Sequence, residues 1–111
     1  MRDRILVEKG FIPYSFDILI GAEWFNLEFN YNQTADLFTV TLTKDDETLV
    51  YDEPILYGVP LFGDLYQSGV YPMPVIVPWD ESQQETSVTW DNFNETVFLT
   101  IDQGGGVNEQ E

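Results

Sequence analysis

Glu23-Trp24-Phe25-Asn26-Leu27-Glu28-Phe29-Asn30-Tyr31 is the stretch on which the fold turns. Phe25, Leu27, Phe29 and Tyr31 fall on one side of an extended chain, and Asn26, Glu28 and Asn30 on the other. A period of two in apolarity is the signature of a strand with one face buried. Trp24 departs from the pattern and lies on the polar side. Phe25, Phe29 and Tyr31 are in phase with the apolar face and are expected in the core, with Phe38 of the next strand.

The reading extends in both directions from this strand. Upstream, residues 14–20 form another β-rich run, and Gly21-Ala22 provides a two-residue hairpin turn. Downstream, residues 32–36 are a polar turn cluster. Residues 37–43 follow, with Phe38, Val40 and Leu42 inward and Thr39, Thr41 and Thr43 outward. Residues 44–47 make the next turn, and residues 48–52 pair back as a short strand. This is a meander of about four antiparallel strands. Residues 88–90 are expected as a short strand and residues 96–101 as the last one. No segment has helical periodicity. The fold class is therefore all-β: a small antiparallel β-sandwich or barrel-like meander with a long Pro/Gly-rich apolar loop.

That loop is residues 53–80. It holds Pro54, Pro60, Pro72, Pro74 and Pro78 with Gly58, Gly63 and Gly69, a composition that a sheet interior tolerates poorly. It is nonetheless rich in Leu, Ile, Val, Phe and Tyr. A long loop of this kind is usually functional, and its apolar side chains must be covered by the sheet or by a partner. Phe62, Tyr66, Tyr71 and Trp79 are thus either loop residues folded onto the sheet or anchors at an interface, where Trp and Tyr are over-represented. Leu61, Phe62, Tyr71 and Trp79 are the candidate interface residues. With 111 residues the chain forms one domain, 1–103, and residues 104–111 read as a flexible acidic tail behind Gly104-Gly105-Gly106.

Charge narrows the function. The chain has 4 basic and 20 acidic residues, a formal charge of −16. Every residue after Lys44 is neutral or acidic. Such a surface repels phosphate backbones and anionic lipid and attracts basic proteins, so neither nucleic acid nor membrane is expected as a partner. Ile5 to Val7 is too short for the apolar core of a signal peptide, and no run approaches the roughly 18 apolar residues of a membrane span. A soluble, cytoplasmically made protein is expected. Hydrophobic residues make up 43% of the chain, too many for a disordered acidic polymer.

The absence of His and Cys removes most catalysis. No Ser-His-Asp triad, Cys nucleophile or His-based zinc site can be built. Asp80 and Glu81 beside Trp79 could be imagined as a glycosidase pair, but so many acids on a small surface give such neighbours by chance. Lys44-Asp45-Asp46-Glu47 lacks the spacing of a calcium loop and reads as a hairpin turn. No enzyme, cofactor or metal is expected.

The order of features resembles a small phage family. The extended run Tyr14-Ser15-Phe16-Asp17-Ile18-Leu19-Ile20 is followed by a strand like Phe25-Asn26-Leu27-Glu28-Phe29, then by Phe38-Thr39-Val40-Thr41-Leu42 and an acidic turn. Next comes a block like Leu56-Tyr57-Gly58-Val59-Pro60-Leu61. Asp91-Asn92-Phe93-Asn94-Glu95-Thr96-Val97-Phe98-Leu99 ends the pattern. In this order the chain resembles the baseplate plug family of contractile-tailed phages, of the cyanophage type. The resemblance implies a β-rich accessory subunit of the virion tail baseplate, made in the host cytoplasm and packed among the hub and neighbouring tail proteins, expected to have basic surfaces. Two alternatives stand beside it: an acidic DNA mimic that binds a DNA-binding protein, and a carbohydrate-binding β-sandwich using Trp79 or Trp24. The apolar, Pro-rich centre favours assembly over mimicry.

Overall fold

A computed structural model describes residues 3–20, 23–62 and 75–102. Seven strands are found there: β1 (Asp3–Ile5), β2 (Tyr14–Ile20), β3 (Glu23–Asn32), β4 (Leu37–Lys44), β5 (Glu47–Pro54), β6 (Val75–Trp79) and β7 (Phe98–Asp102). They form two antiparallel sheets, one of order β2-β3-β4-β5 and one of order β1-β7-β6.

The four-stranded sheet is the expected meander. The β2–β3 register runs unbroken from Tyr14↔Phe29 to Ile20↔Glu23, and the turn expected at Gly21-Ala22 lies outside the described residues. Lys44 pairs with Glu47, so Asp45 and Asp46 form a two-residue hairpin turn, with φ of 51° and 66°. Positive φ at both central residues matches the right-handed twist of the flanking strands, and Asp tolerates that conformation better than most residues. Phe25, Leu27, Phe29, Phe38, Val40 and Leu42 are buried, while Trp24 is exposed. Tyr31, at the end of β3, is only half-buried.

The three-stranded sheet departs from expectation in three places. First, β1 was not foreseen: Ile5 and Val7 point into the core and Leu6 outward, and β1 pairs with β7 from Asp3↔Ile101 to Ile5↔Leu99. Second, the end of the long loop-like stretch is strand β6, which contains Pro78. The Gly58 N–H donates to the Pro78 carbonyl at 2.8 Å, on the side away from β7. In a strand the N and O of one residue point the same way, so the donor that Pro lacks faces away from β7 and the ladder loses nothing. Third, residues 88–90 are irregular rather than a strand. Val88 is still buried.

The inward faces of both sheets feed one core, Ile5, Ile76 and Leu99 meeting Phe25, Leu27, Phe29, Phe38, Val40 and Leu42. The architecture is thus a two-sheet sandwich rather than a closed barrel. Each large side chain buried this way contributes about 1.5–3 kcal/mol. Thr100, also fully buried on β7, donates its hydroxyl to the Val77 carbonyl at 2.8 Å and so carries no unmet polar group.

Candidate assembly surface

Leu56-Tyr57-Gly58-Val59 is a four-residue turn closed by Val59 N–H to Leu56 O at 3.1 Å. Gly58 sits at φ +75°, the conformation a type II turn requires at its third residue and one that favours glycine. The turn lies against β6. Besides the Gly58 bond, Leu61 N–H donates to Ile76 O at 2.7 Å, so residues 58–61 cover the outer edge of β6. Tyr57 stacks on Trp79 with ring centroids 5.2 Å apart and planes at 23°. Its hydroxyl accepts the Asp80 N–H at 3.1 Å. Leu56 and Val59 are left exposed on the outside of the turn.

Phe62 follows at φ +59°, an unusual backbone for a bulky residue. Its N–H donates to Glu53 Oε2 at 2.7 Å, a charge-assisted bond that holds the conformation. The ring is buried in the core.

Asp80 is buried, and its carboxylate is fully engaged. Oδ1 accepts the Ser82 N–H at 2.9 Å and the Ser82 hydroxyl at 2.6 Å, and Oδ2 accepts the N–H groups of Gln84 and Glu85 at 2.9 and 3.0 Å. The Ser82 hydroxyl first, then these backbone donors, hold the carboxyl below the usual carboxylate range against the opposing effect of burial. Asp80 is therefore the organiser of residues 80–85.

Asn92 plays the same part in the Asp91–Leu99 block. Its Oδ1 accepts Thr89 N–H at 2.9 Å and its Nδ2 donates to Ser87 O at 2.9 Å. Its carbonyl accepts the N–H groups of Glu95, Thr96 and Val97, each at 3.0 Å. This knot drives Phe93 into the core, 4.5 Å from the Phe38 ring. Asn94, at φ 64°, turns its Oδ1 to the Val7 N–H at 3.0 Å and ties the block to the N-terminal segment.

Trp90 lies over the end of the meander, stacked on Phe38 at 5.8 Å and 10° and packed on Tyr31 at 4.8 Å. Asp36 fixes it. Asp36 Oδ1 accepts the Tyr31 hydroxyl at 2.7 Å and the Trp90 N–H at 2.8 Å. The Tyr31 hydroxyl foremost, then the Trp90 N–H, lower the Asp36 carboxyl below its ordinary range. The same hydrogen bond pushes Tyr31 up to about 12. The Lys9 ammonium also reaches the Trp90 carbonyl.

The blocks that carry chain order thus have physical jobs: a glycine turn that caps a strand edge, and an asparagine knot that seats a phenylalanine. A sequence model described as cyanophage baseplate Pam3 plug gp18 matches residues 2–104. The chain belongs to that baseplate plug family. None of the curated proteins compared with it matches. As a plug-family protein it is a structural component of the phage virion's tail baseplate, and other tail and baseplate proteins are its neighbours.

The four residues singled out from the plug sequence are placed differently. Leu61 and Phe62 are core, only 4% and 2% exposed. In this arrangement they support the surface from beneath and offer a partner no area. Trp79 is half-buried under the turn, stacked on Tyr57. Tyr71 lies outside the described residues, as does the expected tail at 104–111. Among the described residues, the exposed large apolar side chains of this flank are Leu56 and Val59, which sequence reasoning passed over. The Tyr-Gly pair signals the turn, but no sequence pattern tells which of its apolar residues stay outside.

Proposed function

We propose that this plug subunit works by packing rather than catalysis, and that it meets its neighbours through the flank between Leu56 and Trp79. The observation that supports this is the exposed pair Leu56 and Val59 over the Tyr57–Trp79 stack. A partner would cover these two side chains and the outer part of the Trp79 ring, with Leu61 and Phe62 holding the platform rigid and Tyr71 the remaining candidate. Rigid aromatic anchors lose little side-chain entropy on docking. We also assign the acidic surface to basic neighbours, because a chain of net charge −16 gains most from opposite charge across an interface.

The test separates surface from support. Leu56→Ser with Val59→Ser should leave the melting temperature of the free protein nearly unchanged and lower its occupancy in assembled tails. Phe62→Ser should unfold the protein. Raising salt during assembly should lower occupancy of the parent chain, since exposed pairs are screened beyond about 8 Å at physiological ionic strength. Full occupancy of the double variant would place the contact on another face.

A further inference from the structure

The two sheets have four edges, and three are protected in ways that oppose pairing with another chain. β1 is three residues long. β6 is covered on its outside by Gly58 and Leu61. β5 is interrupted by register shifts between Val40 and Leu42 and again between Leu42 and Thr43, has Asp52 at φ 51°, and ends in Pro54. β2 has none of these devices. It runs seven residues in perfect register with β3, without Pro, Lys or bulge, and its backbone pairs with no described residue outside β3. The outer face beside that edge is polar at Ser15, Asp17, Asn26 and Glu28 and apolar at one end. Leu19 and Trp24 lie directly opposite each other across β2 and β3 and are 52% and 62% exposed.

We propose that the edge of β2, which no described residue pairs with, accepts an extended strand of a basic neighbouring protein, whose side chains cover Leu19 and Trp24. This rests on the reading above that the acidic subunit meets basic neighbours, and it adds a second contact distinct from the Leu56–Trp79 flank. Main-chain hydrogen bonds supply affinity in strand addition, and the alternate side chains supply selectivity. The rim of the patch sets the charge of the occupant. A depression of about 380 Å³ beside Trp24 is lined by Asp17, Asn26, Lys44, Asp45 and Asp46. Lys44 does not offset these acids, because its ammonium is engaged by Glu23 at 2.8 Å and by the Trp24 carbonyl at 3.2 Å. Asp17 stands on β2 itself and faces an incoming strand, while Asp45 and Asp46, in the β4–β5 turn beyond β3, add to the negative potential of the same face. A Lys or Arg on that strand would meet the Asp17 carboxylate while its aliphatic stem lay across Leu19 towards the Trp24 ring. A second copy of this chain is a poor occupant. Two β2 edges paired about a two-fold axis would bring two Asp17 carboxylates and two strongly acidic proteins together, and like charges facing across strands destabilise the pair.

The test uses amide hydrogen exchange on the free protein and on assembled tails, together with the charge-reversed variant Asp17→Lys/Leu19→Lys. The proposal expects the outward amides of β2 to exchange at least about tenfold more slowly in tails, and the variant to keep its melting temperature while its occupancy falls by about tenfold or more. Unchanged β2 exchange in tails overturns the proposal, and if occupancy is still salt-sensitive the general basic-partner reading survives without it. Protection of β2 with full occupancy of the charge-reversed variant overturns the basic occupant. A dimer of the free protein in sedimentation, broken by Asp17→Lys/Leu19→Lys, assigns the edge to a second copy instead.

Discussion

In the four-stranded sheet every pair of neighbouring strands is consecutive in the chain, and the links are residues 21–22, 33–36 and 45–46. In the three-stranded sheet β7 is flanked by β1 from the start of the described chain and by β6, from which residues 80–97 separate it. The first sheet needs only alternation and short turns. The second needs fasteners that act at a distance: Asn94 to Val7, Trp90 to Asp36, Gly58 to Pro78. Closing long loops costs conformational entropy before any contact repays it. The contrast teaches that single hydrogen bonds between segments distant in sequence, from side chain or backbone, fasten the part of the fold whose topology is non-local, because there the strand ladder alone does not choose the partner.

The sharpest attempt to break this contrast is Phe93→Ala. Phe93 is fully buried against Phe38, where the knotted block meets the meander. Loss of a buried Phe costs about 3–5 kcal/mol. We expect denaturant unfolding to shift by that amount in a single transition. Separate transitions for the two sheets would mean that the core does not couple them.

Asn92→Ala should come next. It leaves the Thr89 N–H and the Ser87 carbonyl without their partner in a site only 8% exposed. The expected loss is about 1–3 kcal/mol. In amide exchange it should appear in residues 87–97 and at Val7, with the β2–β5 amides slowed or sped only as much as global stability changes. Equal loosening throughout the meander would contradict the division drawn above.

The smallest effect concerns pH. The Asp36 carboxyl is lowered when folded, so its contribution is present above the ordinary Asp value and is lost as pH falls through the lowered folded value. Tyr31 is raised to about 12, so its contribution is present below the ordinary Tyr value of 10 and is lost as pH rises from there toward 12. Asp36→Asn should therefore flatten the acid limb of a melting-temperature profile and return Tyr31 toward its ordinary titration, read by ultraviolet absorbance. An unchanged acid limb would show that the Asp36–Trp90 tie adds nothing to stability.

The meander was legible because each strand repeats at period two and each turn carries residues suited to it. Asp45-Asp46 is the clearest case. β1 was illegible because three residues, one of them Arg, hold too little pattern. β6 was hidden by Pro78, whose harmless orientation depends on which way the strand faces β7. No sequence rule gives that direction. The aromatic residues of the apolar stretch could be read as core or contact from sequence; Phe62 lies inward under a strained backbone, Trp79 is half-covered, and Tyr66 and Tyr71 lie outside the described residues. Trp24 was read correctly as outward-facing, but its opposition to Leu19 is a matter of register. The unbroken β2–β3 pairing was needed to see it.

Asp3 and Ile101 stand side by side across β1 and β7. The described domain is therefore entered and left at almost one point. A unit with that geometry can be spliced into a surface loop of another protein without prising the loop apart. It also meets mechanical load in a particular way. Tension on both ends peels β1 from β7 one hydrogen bond at a time, while the meander carries none of the force until that seam has opened.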